Sequence, residues 1–561
     1  MSAITWEIDE PGSWELEATH NPTPVTAYHQ AIFGEQFPRA FAAGTAQIGI
    51  LLSHFEPRFV NGFGYVSPRI VGAPAGATKP PPRLLFMLAL KLHPEMRRRM
   101  RTAATVLDRK PWRDDVKTWE SEVKPQSTAT HLELQRMRPA NLDDAGLADH
   151  LRVLHGNAGL QCYLHHRLSI SGILPVGDYI AHAREWTGLP DAELLHVCQQ
   201  RGGLETATTD QFHALIEALH DDPVAVELLD TGCPAAEAIS ALTQVQGRVG
   251  LAARGWLELT ANRIVTGYDI VDLTAGEMPR LLQRTVLAAL DRAGPPDRRL
   301  SAEQAARVRD RVPGGHRQAY DDLLAEAISV STMQEERALF TDLWAYGLVR
   351  PSVKEAGRRV AGRGRIADPA HLFEASHEEM LDLLTCSAGG PSADELAERH
   401  AWRTTATSDM APKHIGPAPG APPPASWLPP AVRRMGTALD AAIQVKFAEP
   451  APRNGASTVR GLNASAGVYE GTARVVLSPS DFEKINSGDV LVARVTTEAY
   501  NDIIPLIGAV VTDRGGLLSH AATIAREFGI PAVVGTTEAT RIIPDGARIR
   551  VDGSRGEAIL V

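Results

Sequence analysis

The stretch Asp513-Arg514-Gly515-Gly516-Leu517-Leu518-Ser519-His520 sets a single histidine behind two glycines and a serine. Ile524, Ala525 and Phe528 then fall on one helical face, and Gly529 stands where a left-handed helix cap is expected. The spacing predicts a short helix that starts at His520 or Ala521. The first turn of a helix leaves backbone N–H groups without intrahelical partners and carries partial positive charge, which suits a phosphoryl group. Glycines let the backbone come close to that group. A histidine nitrogen placed there is a nucleophile for phosphorus and can hold a phosphoryl group through a transient N–P bond. Spacing alone leaves a second role open, since a lone histidine at a helix start also serves as a surface or capping residue.

The elements that must position His520 are short and β-branched. GTARVVL, GDVLVAR, GAVVTD, PAVVG and ARIRVDG are each bounded by Gly, Asp or Pro, so residues 456–561 read as a compact α/β domain. Ahead of it, residues 412–430 hold eight prolines and predict a stiff, extended connector, with a second break, EPAPRNG, at 449–455. From Leu84 to about Cys386 the apolar residues recur at three and four, which predicts helices. SADELAERHAW opens with Ser392 as N-cap and Glu395 three residues on. No strand–helix alternation appears there, so a parallel barrel is excluded. Residues 1–83 are rich in Pro and Gly and read as irregular, with a strand or hairpin in RFVNGFGYVSPRIV. The expected division is 1–410 for a mostly helical domain, 411–455 for the connector and 456–561 for the α/β domain.

The chain has 561 residues and a net charge of −10, with a pI near 6.0. This balance argues against nucleic acid or an anionic membrane surface as a main partner. Cys162, Cys198, Cys233 and Cys386 form no C-x-x-C pair, so neither a disulfide framework nor a metal site is expected, and a reducing cytoplasm fits. The first residues, MSAITWEIDEPG, show no signal peptide. The apolar run Leu84–Leu90 is far short of the ~20 residues that span a bilayer.

The full string Thr512–Gly535, TDRGGLLSHAATIAREFGIPAVVG, resembles the swivelling phosphohistidine domain of the phosphoenolpyruvate-utilising enzymes, and GVYEGTARVV and GDVLVARVTT extend the likeness upstream. The one departure is Thr523, where that family has an aliphatic residue. The resemblance implies that His520 carries the phosphoryl group and that Gly515, Gly516, Ser519 and Arg526 belong to its loop. In that family the donor is an ATP-grasp domain. The first 400 residues here hold no glycine-rich phosphate loop, so the expected donor is an ATP-grasp subunit in trans. That partner would bind ATP and Mg2+, converting ATP to AMP and phosphate, while this chain holds no permanent cofactor. TCSAGGPSADE, at 385–395, faintly resembles the pyruvate site of the barrel enzymes but reads as a loop with a capping box.

Two relatives have a helical acceptor domain. The rifampicin phosphotransferases join ATP-grasp, a helical antibiotic-binding domain and the histidine domain in one chain. The aryl phosphate synthases, which phosphorylate phenol or cresol, divide them between subunits. WELEATHNPTPVT, EPRFVNGFGY, RIVTGYDI and LVRPSVKEAGRRVAGRGRIADPAHLFEA are similar to the histidine-bearing subunit of the second group. That likeness implies a small phenolic acceptor. A larger hydroxylated natural product or antibiotic is the alternative substrate, and a non-catalytic docking or regulatory protein is the alternative class.

Phosphorylating a phenol needs a proton acceptor, a cation for the moving phosphoryl oxygens and an apolar wall. His20 and the pair His165-His166 are candidate bases, and only one of the pair is expected to point inward. Arg58, Arg263 and Arg337 are candidate phosphate clamps, with Asn61 beside Arg58. Phe59, Phe63, Tyr65 and Trp256 are candidate walls. Against each stands an ordinary role, as a satisfied core histidine or a solvated ion pair. His20 and Arg58 lead because both are expected in loops, where functional residues concentrate.

Overall fold

Thr26 begins the first long element. Its hydroxyl accepts from the His29 N–H, and the helix Ala27–Ile48 runs on to Gly49, whose φ of +81° ends it. The helix passes through Pro38 and carries Gly34 and Gly44, residues that lower helix propensity and hid it within a stretch expected to be irregular. Gly44 is there for packing: a Cβ would lie 2.9 Å from the Arg167 carbonyl oxygen on the helix Asp144–Ser169.

The computed structural model describes residues 4–561 apart from 19, 75, 200–206, 231, 292–297, 388, 448–454, 456, 478, 497–499 and 501–502. The expected break at 449–455 lies almost wholly outside the described residues. The chain is multidomain and mostly helical, with an α/β part at its C-terminal end. Among the described residues, no helix is long and apolar enough to cross a membrane.

By compactness the chain divides into two units. The first comprises Met1–Gly172, Tyr268–Asp272 and Arg337–Gly436, and the second Ile173–Gly267, Leu273–Glu336 and Thr437–Val561. This division does not follow the expected 1–410, 411–455 and 456–561 scheme. A third of the expected connector is helix, Arg433–Phe447, and its proline-rich first part is largely extended.

In the first unit the expected hairpin is present. Leu52–Val60 pairs antiparallel with Phe63–Ile70, Val60 facing Phe63 across the two-residue turn Asn61-Gly62. Both turn residues have positive φ, +52° and +80°, which the Asn-Gly pair tolerates and a tight right-twisted hairpin requires. Trp14–Leu16 and His414–Ile415 complete a four-stranded sheet. The helix Asp144–Ser169 packs against both Ala27–Ile48 and Asp342–Gly362. The segment Tyr268–Asp272 is tied to that helix by a buried carboxylate. Asp269 accepts the Thr26 N–H and hydroxyl, both at 2.7 Å, and its own chain's Ile270 N–H at 2.6 Å.

The second unit holds the α/β part within an eight-stranded sheet. Val468–Val476, Asp489–Ala493, Ile507–Thr512 and Ala532–Val534 run parallel at its centre. The last three are almost wholly apolar and buried because both faces are covered, whereas Val468–Val476 also carries Glu470, Thr472 and Arg474. Leu491, Ala493 and Val510 face a core shared with the helices Ile173–Thr187 and Asp191–Gln199, whereas Val490, Val492, Ala509 and Val511 face a second core with Ile543 and Ile549. Burying each such side chain is worth about 1.5–3 kcal/mol.

Replacing Asp269 by Ala leaves the buried Thr26 N–H and hydroxyl without their acceptor. The expected outcome is a loss of about 3 kcal/mol in stability, read as a lower denaturation midpoint in urea.

Candidate functional site

His520 lies where two parallel strands end. Ile507–Thr512 runs into the Gly515-Gly516 turn, and Asp489–Ala493 runs into the loop that carries Thr496. The Arg514 N–H donates to the Arg494 carbonyl at 2.9 Å and ties the two loops together. Carboxyl ends of parallel strands are where open α/β sheets hold ligands. Ser519 caps the helix His520–Glu527 through the Ala522 N–H, so His520 is its first residue. The half-buried imidazole shares a 3.0 Å hydrogen bond between Nδ1 and the buried Thr496 hydroxyl. That bond fixes the ring plane and the nitrogen facing away from Thr496.

The glycines have steric reasons. Gly515 has φ +118°, where a side chain is strained and would also strike Ser519. A Cβ on Gly516 would lie 2.4 Å from the Lys446 carbonyl oxygen and 2.5 Å from that of Val445. The turn is laid on the C-terminal carbonyls of the helix Arg433–Phe447, and the Leu517 N–H donates to one of them, Val445, at 3.0 Å. Asp513 supports the turn from below: it accepts from the Thr540 N–H and hydroxyl, and burial pushes its carboxyl above the usual aspartate range.

Arg526 is a brace. Its buried guanidinium donates to the Leu517 carbonyl at 2.6 Å and the Ala464 carbonyl at 2.9 Å. Burial brings its pKa down to about 10. It therefore holds the loop's shape from the interior side of the helix. Next to it, no ordinary donor reaches the Glu527 carboxyl oxygens. The Glu335 carboxyl faces them, and burial pushes the Glu527 carboxyl up to about 7. Two carboxyls can meet in this way only with a proton between them.

The expected acceptor residues fall in different places. His20 is exposed and paired with Glu17 at 2.8 Å, its ring against Tyr268. Arg58 lies in a strand, not in a loop, and is bound to Glu56 and to Glu10. Asn61 is committed to the hairpin turn: its amide donates to the Thr5 carbonyl and its own carbonyl accepts from the Trp402 indole. Arg263 is buried in the second unit, and the other candidates belong to the first. His165, His166 and Arg337 do come together. His165 Nδ1 meets Asp342 at 2.9 Å, His166 Nδ1 meets the Cys162 carbonyl at 2.8 Å, and Arg337 donates to Ser169 at 3.2 Å. Both histidines are half-buried with ring centroids 4.6 Å apart, so the expectation that only one points inward fails. Burial, with help from His165, brings the His166 pKa down to about 3. Of the expected wall residues, Phe59 lies by Phe33, Phe63 and Tyr65 fill the small sheet's core, and Trp256 is in the second unit. Thr496, Tyr28, His29 and Tyr346 escaped sequence reasoning. For Thr496 the signals were its place after a predicted strand and within GDVLVARVTT, the stretch that extends the family likeness.

Residues 485–556 match the PEP-utilising enzyme mobile domain. The chain is similar to the phosphoenolpyruvate synthase of Aeropyrum pernix, 46% identical over 109 residues, covering 19% of this chain and 13% of that protein. A rifampicin phosphotransferase from Streptomyces sp is 49% identical over 96 residues, 17% of this chain and 11% of that one. The uncharacterized phosphotransferase YvkC of Bacillus subtilis is 42% identical over 109 residues, 19% of this chain and 13% of that one. The chain thus spans about an eighth of the length of these curated relatives.

Two measurements check this local structure. Gly516→Ala must displace two helix carbonyls, and an expected loss of 2 kcal/mol or more, roughly, would appear in chemical denaturation. The Glu527 carboxyl is raised above its unfolded value near 4.5, so the unfolded chain ionises first and stability falls as pH climbs from there toward 7. Glu527→Gln should therefore gain up to roughly 3 kcal/mol over wild type at pH 8 and lose that advantage at pH 4.5, followed by melting at both pH values.

Proposed function

We propose that this chain is a phosphoryl-transfer protein in which His520 accepts a phosphoryl group from an ATP-grasp subunit in trans and passes it to the hydroxyl of a phenol such as phenol or p-cresol. The donor subunit binds ATP and Mg2+. In the second step the phenol oxygen attacks phosphorus, the N–P bond breaks with its electron pair returning to the His520 ring, and an aryl phosphate leaves. Because Thr496 engages Nδ1, this reading puts the phosphoryl group on Nε2. The first turn of the helix His520–Glu527 offers backbone N–H groups and partial positive charge, which suit a phosphoryl group held there.

One arrangement carries the proposal: a histidine at a capped helix start, behind a glycine turn at the ends of parallel strands, within the segment that matches the mobile domain. The phenol rests on the looser likeness of the helical region to the aryl phosphate synthases. The rifampicin phosphotransferases among the relatives support a second reading, a larger hydroxylated natural product, although their similarity is confined to the C-terminal part.

The test combines the full chain, an ATP-grasp partner, labelled ATP and p-cresol. Acid-labile label should appear on the protein, be absent from His520→Ala, and move into p-cresyl phosphate. No label with any partner would sink the shuttle; label that no phenol removes would sink the acceptor.

A further inference from the structure

The first unit buries a group of polar side chains that the protein itself does not satisfy. Tyr28, His29 and Tyr346 are 0%, 4% and 2% exposed. Among the described residues, the hydroxyls of both tyrosines and both ring nitrogens of His29 have no hydrogen-bond partner. Their rings adjoin, with centroids 5.6 Å apart for His29 and Tyr346 and 6.4 Å for Tyr28 and Tyr346. The Tyr268 carbonyl favours a protonated His29, but no hydrogen bond to either nitrogen has acceptable geometry. Leaving one such group unpaired costs about 1–3 kcal/mol. Phenylalanine at 28 and 346 would fill the same space without that cost. Native interiors rarely leave buried polar atoms unsatisfied, so several on adjoining residues ask for a ligand.

The surroundings describe that ligand. His29, Phe33, Phe37 and Phe41 recur every fourth residue along the helix Ala27–Ile48 and form a continuous ladder of rings. His29 and Phe33 stack at 5.5 Å, Phe33 and Phe37 at 4.5 Å, and Phe59 meets Phe33 edge-on at 6.5 Å. Such a wall suits a flat aromatic ring. Asp269 and Asp342 lie close enough to bias His29 toward its charged form, and their negative charge disfavours an acidic acceptor such as a keto acid. Burial nevertheless holds His29 below its usual range and both phenols above theirs. At neutral pH the imidazole is thus a proton acceptor and the two tyrosines are donors.

We infer that Tyr28, His29 and Tyr346, with the phenylalanine ladder beside them, form the binding site for a neutral aromatic alcohol, and that His29 is the base that takes the proton of its hydroxyl. This rests on the transfer reading above and gives it a location. The O–H bond breaks toward a His29 nitrogen as the oxygen attacks phosphorus on His520. The O–P bond forms, the N–P bond breaks, and His520 recovers the electron pair. The two tyrosine hydroxyls orient the acceptor oxygen, the Asp269 and Asp342 carboxylates stabilise the new imidazolium, and the proton leaves to solvent with the product.

Two experiments on the full chain test the site separately from the shuttle. In the first, p-cresol is titrated calorimetrically with no donor present. Tyr28→Phe with Tyr346→Phe, which keeps the packing, should weaken binding at least tenfold, and equal binding would overturn the site. In the second, His520 is phosphorylated chemically with phosphoramidate and chased with p-cresol. His29→Gln should carry as much acid-labile phosphate as wild type but release it to p-cresol at least ~100-fold more slowly. A wild-type chase rate in that variant would overturn the base. If p-cresol binds and the tyrosine variants lose it, the site stands even where wild-type phosphohistidine never transfers, and that result sinks the phenol-transfer reading instead.

Discussion

A single buried carboxylate sets the geometry of the first unit. Asp269 comes from a five-residue segment, Tyr268–Asp272, that leaves the second unit's stretch of chain to join the first. It binds the Thr26 N–H and hydroxyl at the start of the helix Ala27–Ile48. Thr26 in turn caps that helix, so the register of the whole element is fixed from its first turn. Tyr28 and His29 sit in that turn, and the ring ladder at 33, 37 and 41 follows at helical spacing. Asp269 therefore acts twice: its hydrogen bonds position the helix, and its charge bears on the basicity of His29. Arg350 fastens the same segment from the other side, donating to the Ile270 and Val271 carbonyls. A short excursion of chain so held is a rigid part of its unit.

The Gly515-Gly516 turn before His520 is held by different means. A phosphoryl site made of backbone N–H groups needs the backbone itself held still. Two constraints do this. The turn rests directly on helix carbonyls, which only a glycine at 516 permits, and the Arg526 guanidinium satisfies the Leu517 carbonyl from within. Arg526 can be buried because its charge is spent on carbonyl oxygens, with the carboxyl pair Glu527 and Glu335 nearby. His196, on the helix Asp191–Gln199, stays neutral beside it: burial, and then the Arg526 charge, bring its pKa down to about 4. The histidine helix is thus seated on a polar interface in which the Arg526 charge faces the Glu527–Glu335 pair and His196 is neutral.

How much of this was legible depended on the range of the interactions. The five short β-branched runs are strands, and Ser519, His520 and Gly529 fall at the cap, first residue and left-handed end of the expected helix. Those features follow from neighbours in sequence. The Asn61-Gly62 turn was equally local, yet its asparagine passed for a site residue because turn chemistry and loop function share residue types. The helix Ala27–Ile48 was missed because Gly34, Pro38 and Gly44 speak against it, while what favours it is packing on Arg167 and Ile170. Arg99, in the basic run Arg97-Arg98-Arg99-Met100-Arg101, is buried and donates to the Ile50 and Leu52 carbonyls, which nothing in the run itself indicates. Arg58 lies in the hairpin strand and is held by Glu56 and the more distant Glu10, and His20 is held by Glu17 three residues away, so a loop-like composition did not mean an uncommitted side chain.

The same distinction separates the two halves of the chemistry. Binding a phosphoryl group through backbone donors demands glycine, serine and histidine at fixed offsets, so the demand is written along one stretch of about twenty residues and survives as a motif. Binding an alcohol and removing its proton demands only side chains of the right kind in one place. In the proposed acceptor site those side chains come from residues 28–37, 59, 269 and 342–346, brought together by helix packing and by Asp269. Helical spacing links only the rings at 29, 33 and 37; nothing along the chain links these to residues 59, 269 and 342–346, and a different ring or hydroxyl in the acceptor can be met by changing any one of them. A carrier motif can therefore remain constant while the acceptor side is rebuilt, and the acceptor is the part that only the folded chain discloses.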